Sequence, residues 1–532
     1  MIKKTMIFGN SLCALDLAEE LVGMGIQVTI VSRDPCCDFS SLDKRSDNTN
    51  RKKPERLSNT RLLACHGAVG NFKVFLDSDG ERVSKTVSNI VIAEDYQRAP
   101  NFSLYNLKPS KALLSLSAMM EILDNRSRRE DLLSDGKKVA FFTGLVHESD
   151  PLIHKEIMRS CLTLQSDVGA QTYLFTKNLK VADEGLEILY KKTREAGTIY
   201  IKALDSVPEV GEEKNRSRVI TYYDEITRER CRLTADIIVV DETIHPSNHH
   251  RNLAEILNID ADDLGFLQAD NVHRYNLFTN RVGIFAAGPS RAVLSPIDQR
   301  ADAHSGAIQT MALMAGKHRK AKESALIDGG ACIRCLTCYR LCPYHAVFVN
   351  SRPYIEPDAC EGCGICVAEC PRQAITLESS LRRVLSGQVK KEGGPRIQQD
   401  FAPRIAAFCC ARSSMQAMET AASLGYPLPD QMDIVEVPCA GNLSVEDILG
   451  AFNNNYDGVL VLSCHKGNCH SEKGYSLIVK RTDHLTDRLT TIGLEKERLQ
   501  RYTLASNMGR ECAEICTRFR DRLVALGPIR LR

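Results

Sequence analysis

The chain has no tryptophan, and aromatic residues make up only 6% of its 532 positions. That scarcity removes any strong case for the stacking surface of a nucleic-acid binder. Neither sign of charge is in excess: 69 Lys plus Arg stand against 67 Asp plus Glu. No global field therefore argues for nucleic acid or an anionic membrane as partner. Long hydrophobic runs are missing too. The longest, such as Ile237–Val240 and Val459–Leu462, are strand-sized, far short of the roughly 20 apolar residues that span a bilayer. The N-terminus carries lysines, but acidic residues follow soon, and a strand–turn–helix pattern fits it better than a signal peptide. These absences predict a cytoplasmic protein with no membrane span of its own.

Cysteine is what the chain has in quantity: 21 residues, eight of them between Cys332 and Cys370. A disulfide scaffold belongs to short exported chains. In a long chain without an export signal, metal or cluster ligation is the stronger reading.

Strand-like and helix-like patterns alternate over the first 320 or so residues, which predicts α/β architecture with parallel, doubly wound sheets. Residues 2–8, 12–24 and 27–31 read as the strand, helix and strand of a dinucleotide-type unit, and 38–59 as a polar loop. A second α/β unit is expected from about Lys137, within a region 1–324. A cysteine-rich module follows at 325–378, then a linker at 379–403 and a small α/β domain at 404–532.

The cysteine module reads Cys332-x-x-Cys335-x-x-Cys338-x-x-x-Cys342-Pro343, and the pattern repeats as Cys360-x-x-Cys363-x-x-Cys366-x-x-x-Cys370-Pro371. Three thiolates at i, i+3 and i+6 can wrap one [4Fe–4S] cubane, and the fourth crosses to the other cluster. The expected ligand sets are Cys332, Cys335, Cys338 and Cys370 for one cluster, and Cys360, Cys363, Cys366 and Cys342 for the other. Paired zinc sites do not usually carry this doubled run. The module resembles a bacterial-type 2[4Fe–4S] ferredoxin.

In the first unit, a G-x-G-x-x-G fingerprint is reduced to Gly9, Ser11 and Ala14, with Ser32 where a ribose-binding acid would stand. The replacements are small enough to admit a pyrophosphate. Farther on, the segment from Gly265 to Arg274 and the run Thr279–Gly288 look like the closing segment of flavoproteins with two dinucleotide domains. The tentative FAD contacts are Gly9, Ser11, Ala14, Thr279 and Gly288, although Pro289 replaces the acidic residue many such proteins place after that glycine. The turn Thr143–His147 lacks nicotinamide-binding glycines, which ranks a simple NAD(P)H reductase last. Cys13, Cys36, Cys37, Cys65, Cys161 and Cys231 form no CxxC pair and read as ordinary thiols.

Beyond the linker, FCCARS, VPCAG and SCHKGNCH each end a strand-like run, which gathers their cysteines at the carboxyl edge of a parallel sheet. Four thiolates there suit a [2Fe–2S] cluster. Cys512 and Cys516 read as core residues.

Residues 1–378, with Asn178–Ala182 and Asp241-Glu242, resemble the A subunit of heterodisulfide reductase and the A and B subunits of the quinone-interacting membrane-bound oxidoreductase complex. Residues 404–510, with Tyr456–Val459 and Gly493–Arg498, resemble the delta subunit of methyl-viologen-reducing hydrogenase. The second resemblance selects Cys410, Cys439, Cys464 and Cys469 as ligands and leaves Cys409 spare. Together they imply a Rossmann-like two-dinucleotide-domain flavoprotein fold with FAD, two [4Fe–4S] clusters and a [2Fe–2S] cluster. The implied role is an electron-transfer subunit between a hydrogenase or other dehydrogenase and a partner reductase, with flavin-based bifurcation within the family's range. The implied partners are heterodisulfide reductase B/C-like, hydrogenase-like or membrane quinone-reactive subunits. The alternative is a non-catalytic scaffold that keeps an empty flavin fold.

Overall fold

The computed structural model describes residues 3–34, 53–127, 129, 136–180, 183–204, 206–212, 218–225, 227–267, 277–316, 323–377 and 401–529. Cys36, Cys37, Val181, Ala182, residues 268–274 of the closing segment and positions 379–400 of the expected linker lie outside them. The chain divides into two units, one of 1–93, 249–287 and 300–532, the other of 94–248 and 288–299.

The first unit begins with a parallel sheet ordered Ile284–Ala286, Asn89–Ile92, Lys4–Phe8, Gln27–Val31 and Glu55–Leu57. Its central strands are apolar and buried on both faces, as a sheet covered on both sides requires. The edge strand Glu55–Leu57 falls in the stretch expected to be loop. It is short and charged, as edge strands often are, so it carries no hydrophobic pattern to find. Leu17 of the helix Leu12–Gly23 lies near Gly306 of the helix Pro296–Met314. An antiparallel meander of Thr60–His66, Phe72–Ser78 and Glu81–Val87 leads to the strand Asn89–Ile92.

The second unit holds a parallel sheet ordered Ile199–Lys202, Gln171–Thr176, Lys138–Thr143, Ile237–Val240 and Leu113–Ser115. This unit starts at Glu94 rather than near Lys137, because the three-residue strand Leu113–Ser115 pairs with Ile237–Val240. So short a strand has no periodicity to read. Its longest helix, Pro151–Val168, is set by Asp150, whose carboxylate accepts the Leu152 amide, by Pro151 in the first turn and by Gly169 in the left-handed C-cap. The α/β class and the two-dinucleotide-domain organisation are those expected.

The remainder of the first unit comprises the cysteine module and a four-stranded parallel sheet, ordered Met432–Val437, Ile405–Cys410, Gly458–Ser463 and Leu499–Thr503. The helix Gly509–Leu526 packs on one face of that sheet through Cys512, Cys516, Phe519 and Leu523.

Candidate iron–sulfur centres and nucleotide folds

Two small antiparallel pairs build the cysteine module: Leu326–Ile327 with Ile375–Thr376, and Val347–Val349 with Pro353–Ile355. The first pair ties the module's beginning to its end and so brings Cys370 back to the first run. Cys332, Cys335, Cys338 and Cys370 line one cavity, and Cys342, Cys360, Cys363 and Cys366 line another. The structure therefore gathers the eight thiols in two groups of four.

The backbone repeats with the sequence. Arg334 and Leu336 take left-handed φ values of 58° and 59°, and Gly362 and Gly364, their counterparts in the second run, 62° and 73°. His345 and Gln373 match in the same way, at 50° and 51°. A non-glycine residue there costs about 1–2 kcal/mol, which the surrounding loop must offset. These turns aim amides at sulfur: Ala346 N–H donates to Cys342 Sγ at 3.4 Å, Ala374 N–H to Cys370 Sγ at 3.3 Å, and Arg334 N–H to Cys332 Sγ at 3.5 Å. Amides so directed stabilise thiolate charge. Cysteine spacing alone does not identify these donors.

In the C-terminal domain, Cys410 ends one strand, Cys439 follows a second, and Cys464 and Cys469 follow a third. All four are buried and belong to one apolar cluster. Cys464 is in hydrogen-bond contact with Cys410 and Cys469, and Cys439 with Cys469. The contacts among these thiols hold Cys410 and Cys469 below the ordinary thiol range and, with burial, push Cys439 and Cys464 above it. Four soft donors so placed fit a [2Fe–2S] group. Gly441 N–H donates to Cys439 Sγ at 3.4 Å. Cys409, one residue before Cys410, points to the other face of the sheet, into the cluster that holds Cys512 and Cys516. His465 Nε2 lies 3.5 Å from Met508 Sδ, and His470 Nδ1 lies 3.0 Å from the Tyr344 hydroxyl.

That last bond links the cysteine module to the C-terminal domain. Cys363 packs against the apolar cluster of the four thiols, and Gly364 leaves so little room that a Cβ there would strike the Asn442 side chain. Arg481 closes the seam with an ion pair to Glu369 at 2.6 Å. The Pro343 carbonyl accepts from Asn280 Nδ2 at 3.1 Å, on the segment leading into the first sheet.

The nucleotide folds are less open. Gly9, at φ 120°, keeps the tight turn after the first strand. Ser11 caps the helix that follows: its hydroxyl accepts the Ala14 amide at 3.2 Å and donates to the Ala93 carbonyl at 2.6 Å. A first-turn amide that a glycine fingerprint leaves for a pyrophosphate is thus satisfied from within. The Ser32 hydroxyl accepts the Asp34 amide at the tip of the second strand. Thr279 Oγ1 lies 2.8 Å from the Ile284 carbonyl and 3.1 Å from that of Arg281, holding the turn before the last strand. Gly288 belongs to the other unit, in the turn Gly288–Ser290. The residues fit the turn of a dinucleotide site but not its anion contact.

The second unit shows the same substitution. Asp241, at the end of its strand, accepts the Gly144 amide at 2.8 Å, the Tyr105 hydroxyl at 2.8 Å, Asn101 Nδ2 at 2.9 Å and the Ser149 hydroxyl at 3.1 Å. A carboxylate of the chain itself occupies the amide of the first βα turn.

Residues 405–527 match the family model for the delta subunit of methyl-viologen-reducing hydrogenase, and 324–371 that for a 4Fe–4S dicluster domain. The D iron–sulfur subunit of the F420-non-reducing hydrogenase of Archaeoglobus profundus is 34% identical over 134 residues, which are 25% of this chain and 98% of that protein. The A subunit of the ferredoxin:CoB-CoM heterodisulfide reductase of Methanosarcina mazei is 24% identical over 355 residues, covering 66% of this chain and 44% of the relative. The chain thus spans less than half the length of that relative. Among solved structures, a Lactococcus lactis thioredoxin reductase aligns with 13% identity and a TM-score of 0.40, over 59% of this chain and 99% of the other.

Proposed function

Since this chain belongs, through residues 405–527, to the methyl-viologen-reducing hydrogenase delta-subunit family and resembles the heterodisulfide reductase A subunit over 66% of its length, we propose that it is the iron–sulfur electron-transfer subunit of a heterodisulfide reductase-like oxidoreductase complex. Its donor would be a hydrogenase or another dehydrogenase, and its acceptor a partner reductase.

The observation that carries this reading is the packing of Cys363, from the second ferredoxin cavity, into the apolar cluster of the four C-terminal thiols. Cys332, Cys335, Cys338 and Cys370 would hold one [4Fe–4S] cluster, Cys342, Cys360, Cys363 and Cys366 the other, and Cys410, Cys439, Cys464 and Cys469 a [2Fe–2S] cluster. Such groups supply one-electron transfer at low reorganisation cost. The chain's own part is to fix the thiolates, aim amides at their sulfurs, and exclude water between neighbouring sets. Tyr344 does the last, buried between the module and the loop carrying His470 and Ser471.

FAD on the first sheet belongs to this reading by family resemblance. The Ser11 cap favours a second reading, in which the flavoprotein fold is an empty scaffold. Flavin-based bifurcation depends on the first reading, and no step through a flavin follows from these residues.

Anaerobic purification after cluster reconstitution tests the proposal, with iron, sulfide, zinc and flavin quantified and low-temperature EPR recorded. About ten irons per chain, the sum of two four-iron clusters and one two-iron cluster, are expected. Eight irons with zinc in the C-terminal domain would overturn the third centre. Stoichiometric flavin would retire the scaffold reading, and its absence would retire the flavoprotein one.

A further inference from the structure

The two cysteine runs align residue by residue, so Cys335 and Thr337 of the first stand where Cys363 and Ile365 stand in the second. Thr337 and Ile365 each open a short helix, Thr337–Leu341 and Ile365–Ala368. In the first run Thr337 gives the Cys335 thiol two hydrogen bonds, one from its amide and one from its hydroxyl. In the second, the Ile365 amide bonds Cys363 in the same way. Isoleucine, however, has no hydroxyl to supply the other bond.

The missing donor comes from the C-terminal domain. Cys363 packs against that domain's apolar cluster, and the hydroxyl of Ser471, a residue only 3% exposed, bonds its thiol. The amide of the same serine bonds Cys469, so one residue touches a thiol of each neighbouring set. Tyr344 fixes its place: the phenol hydroxyl lies 3.3 Å from Ser471 Oγ and 3.2 Å from the His470 carbonyl. The two sides are tightly apposed here, since a Cβ on Gly441 would lie 3.1 Å from the Ile365 side chain. A hydrogen bond to a ligating sulfur stabilises negative charge on it. It therefore favours the reduced form of a cluster and raises the reduction potential.

We propose that Ser471 sets the reduction potential of the second [4Fe–4S] cluster from outside the ferredoxin module, in place of the hydroxyl that Thr337 supplies at the first. It is a positioning residue that acts through Cys363, with Tyr344 holding it. The potential of that cluster thereby depends on the C-terminal domain being seated on the module. This rests on the reading of Cys342, Cys360, Cys363 and Cys366 as [4Fe–4S] ligands. It goes beyond that reading by assigning one cluster's tuning to a residue of another domain.

The experiment is a redox titration of the full, reconstituted chain followed by low-temperature EPR. Ser471→Ala should shift one [4Fe–4S] midpoint to lower potential. The other [4Fe–4S] midpoint should stay in place, and so should that of the [2Fe–2S] centre, because the amide bond to Cys469 survives the substitution. Thr337→Ala should lower the midpoint that Ser471→Ala leaves alone. Ile365→Thr, added to Ser471→Ala, should bring the lowered midpoint back toward the parent value by placing a hydroxyl where the first run has one. Iron content should be the same in every variant. No shift in Ser471→Ala, a shift common to all three centres, or the same midpoint moving in Ser471→Ala and Thr337→Ala would overturn the tuning role while leaving the clusters in place. Absence of iron from the ferredoxin module in the parent chain would overturn the ligand reading and the proposal with it.

Discussion

Adjacent cysteines on a strand have opposite fates, because successive side chains leave on opposite faces. Cys410 meets three other thiols, while Cys409 enters an apolar core with Cys512 and Cys516. Cys410→Ser should therefore abolish the EPR signal assigned to the [2Fe–2S] centre. Cys409→Ala should keep the signal and cost about 1 kcal/mol in denaturant unfolding. A second residue-scale consequence concerns acid. His154 is buried, neither ring nitrogen has a hydrogen-bond partner among the described residues, and burial lowers its pKa to about 4 from 6.5. The unfolded chain takes up a proton near 6.5 and the folded one only near 4, so stability falls as pH drops across that window and levels off below it. Acidification from pH 7 to 5 should cost about 2 kcal/mol from this group alone. Denaturant titrations of His154→Phe should show a correspondingly shallower pH dependence. The cysteine groupings were legible because cysteine spacing maps directly onto ligand geometry. His154 was not, since nothing in its sequence neighbourhood distinguishes a buried histidine from an exposed one.

At the scale of elements, the repeated run predicts crossed dependence. Cys370→Ser should perturb the cluster of Cys332, Cys335 and Cys338 although it lies in the second run, and the EPR of the other cluster should persist. Loss confined to the second cluster would contradict the crossing. Glycines at close approaches make a sharper test. Gly474 opens the helix Gly474–Thr491, and a Cβ there would collide with Cys439 Sγ. Gly474→Ala should displace that thiol and lower iron occupancy of the C-terminal domain. At Gly458 a Cβ would lie 2.5 Å from Leu523, so Gly458→Ala should instead cost about 1–3 kcal/mol of stability with the thiols left in register. The long strands and helices were readable from their apolar periodicity. The strands Glu55–Leu57 and Leu113–Ser115 were not, because three residues cannot display a period and their pairing is decided by distant partners.

Across the whole chain, the order of modules was legible from composition and motif, whereas the start of the second unit and the seam between the ferredoxin module and the C-terminal domain were set by tertiary contacts. That seam includes Gly364 against Asn442, Tyr344 against His470, Cys363 against the C-terminal apolar cluster, and Glu369 paired with Arg481. The relative from Archaeoglobus profundus matches little more than the C-terminal domain over almost its entire length, so there the corresponding domain is a protein by itself. Here one polypeptide carries both sides. Peptide linkage replaces an encounter in solution with an effective concentration fixed by the chain itself. A contact too weak to hold two separate chains together can then stay closed nearly all the time, with a fixed one-to-one stoichiometry and no dependence on dilution.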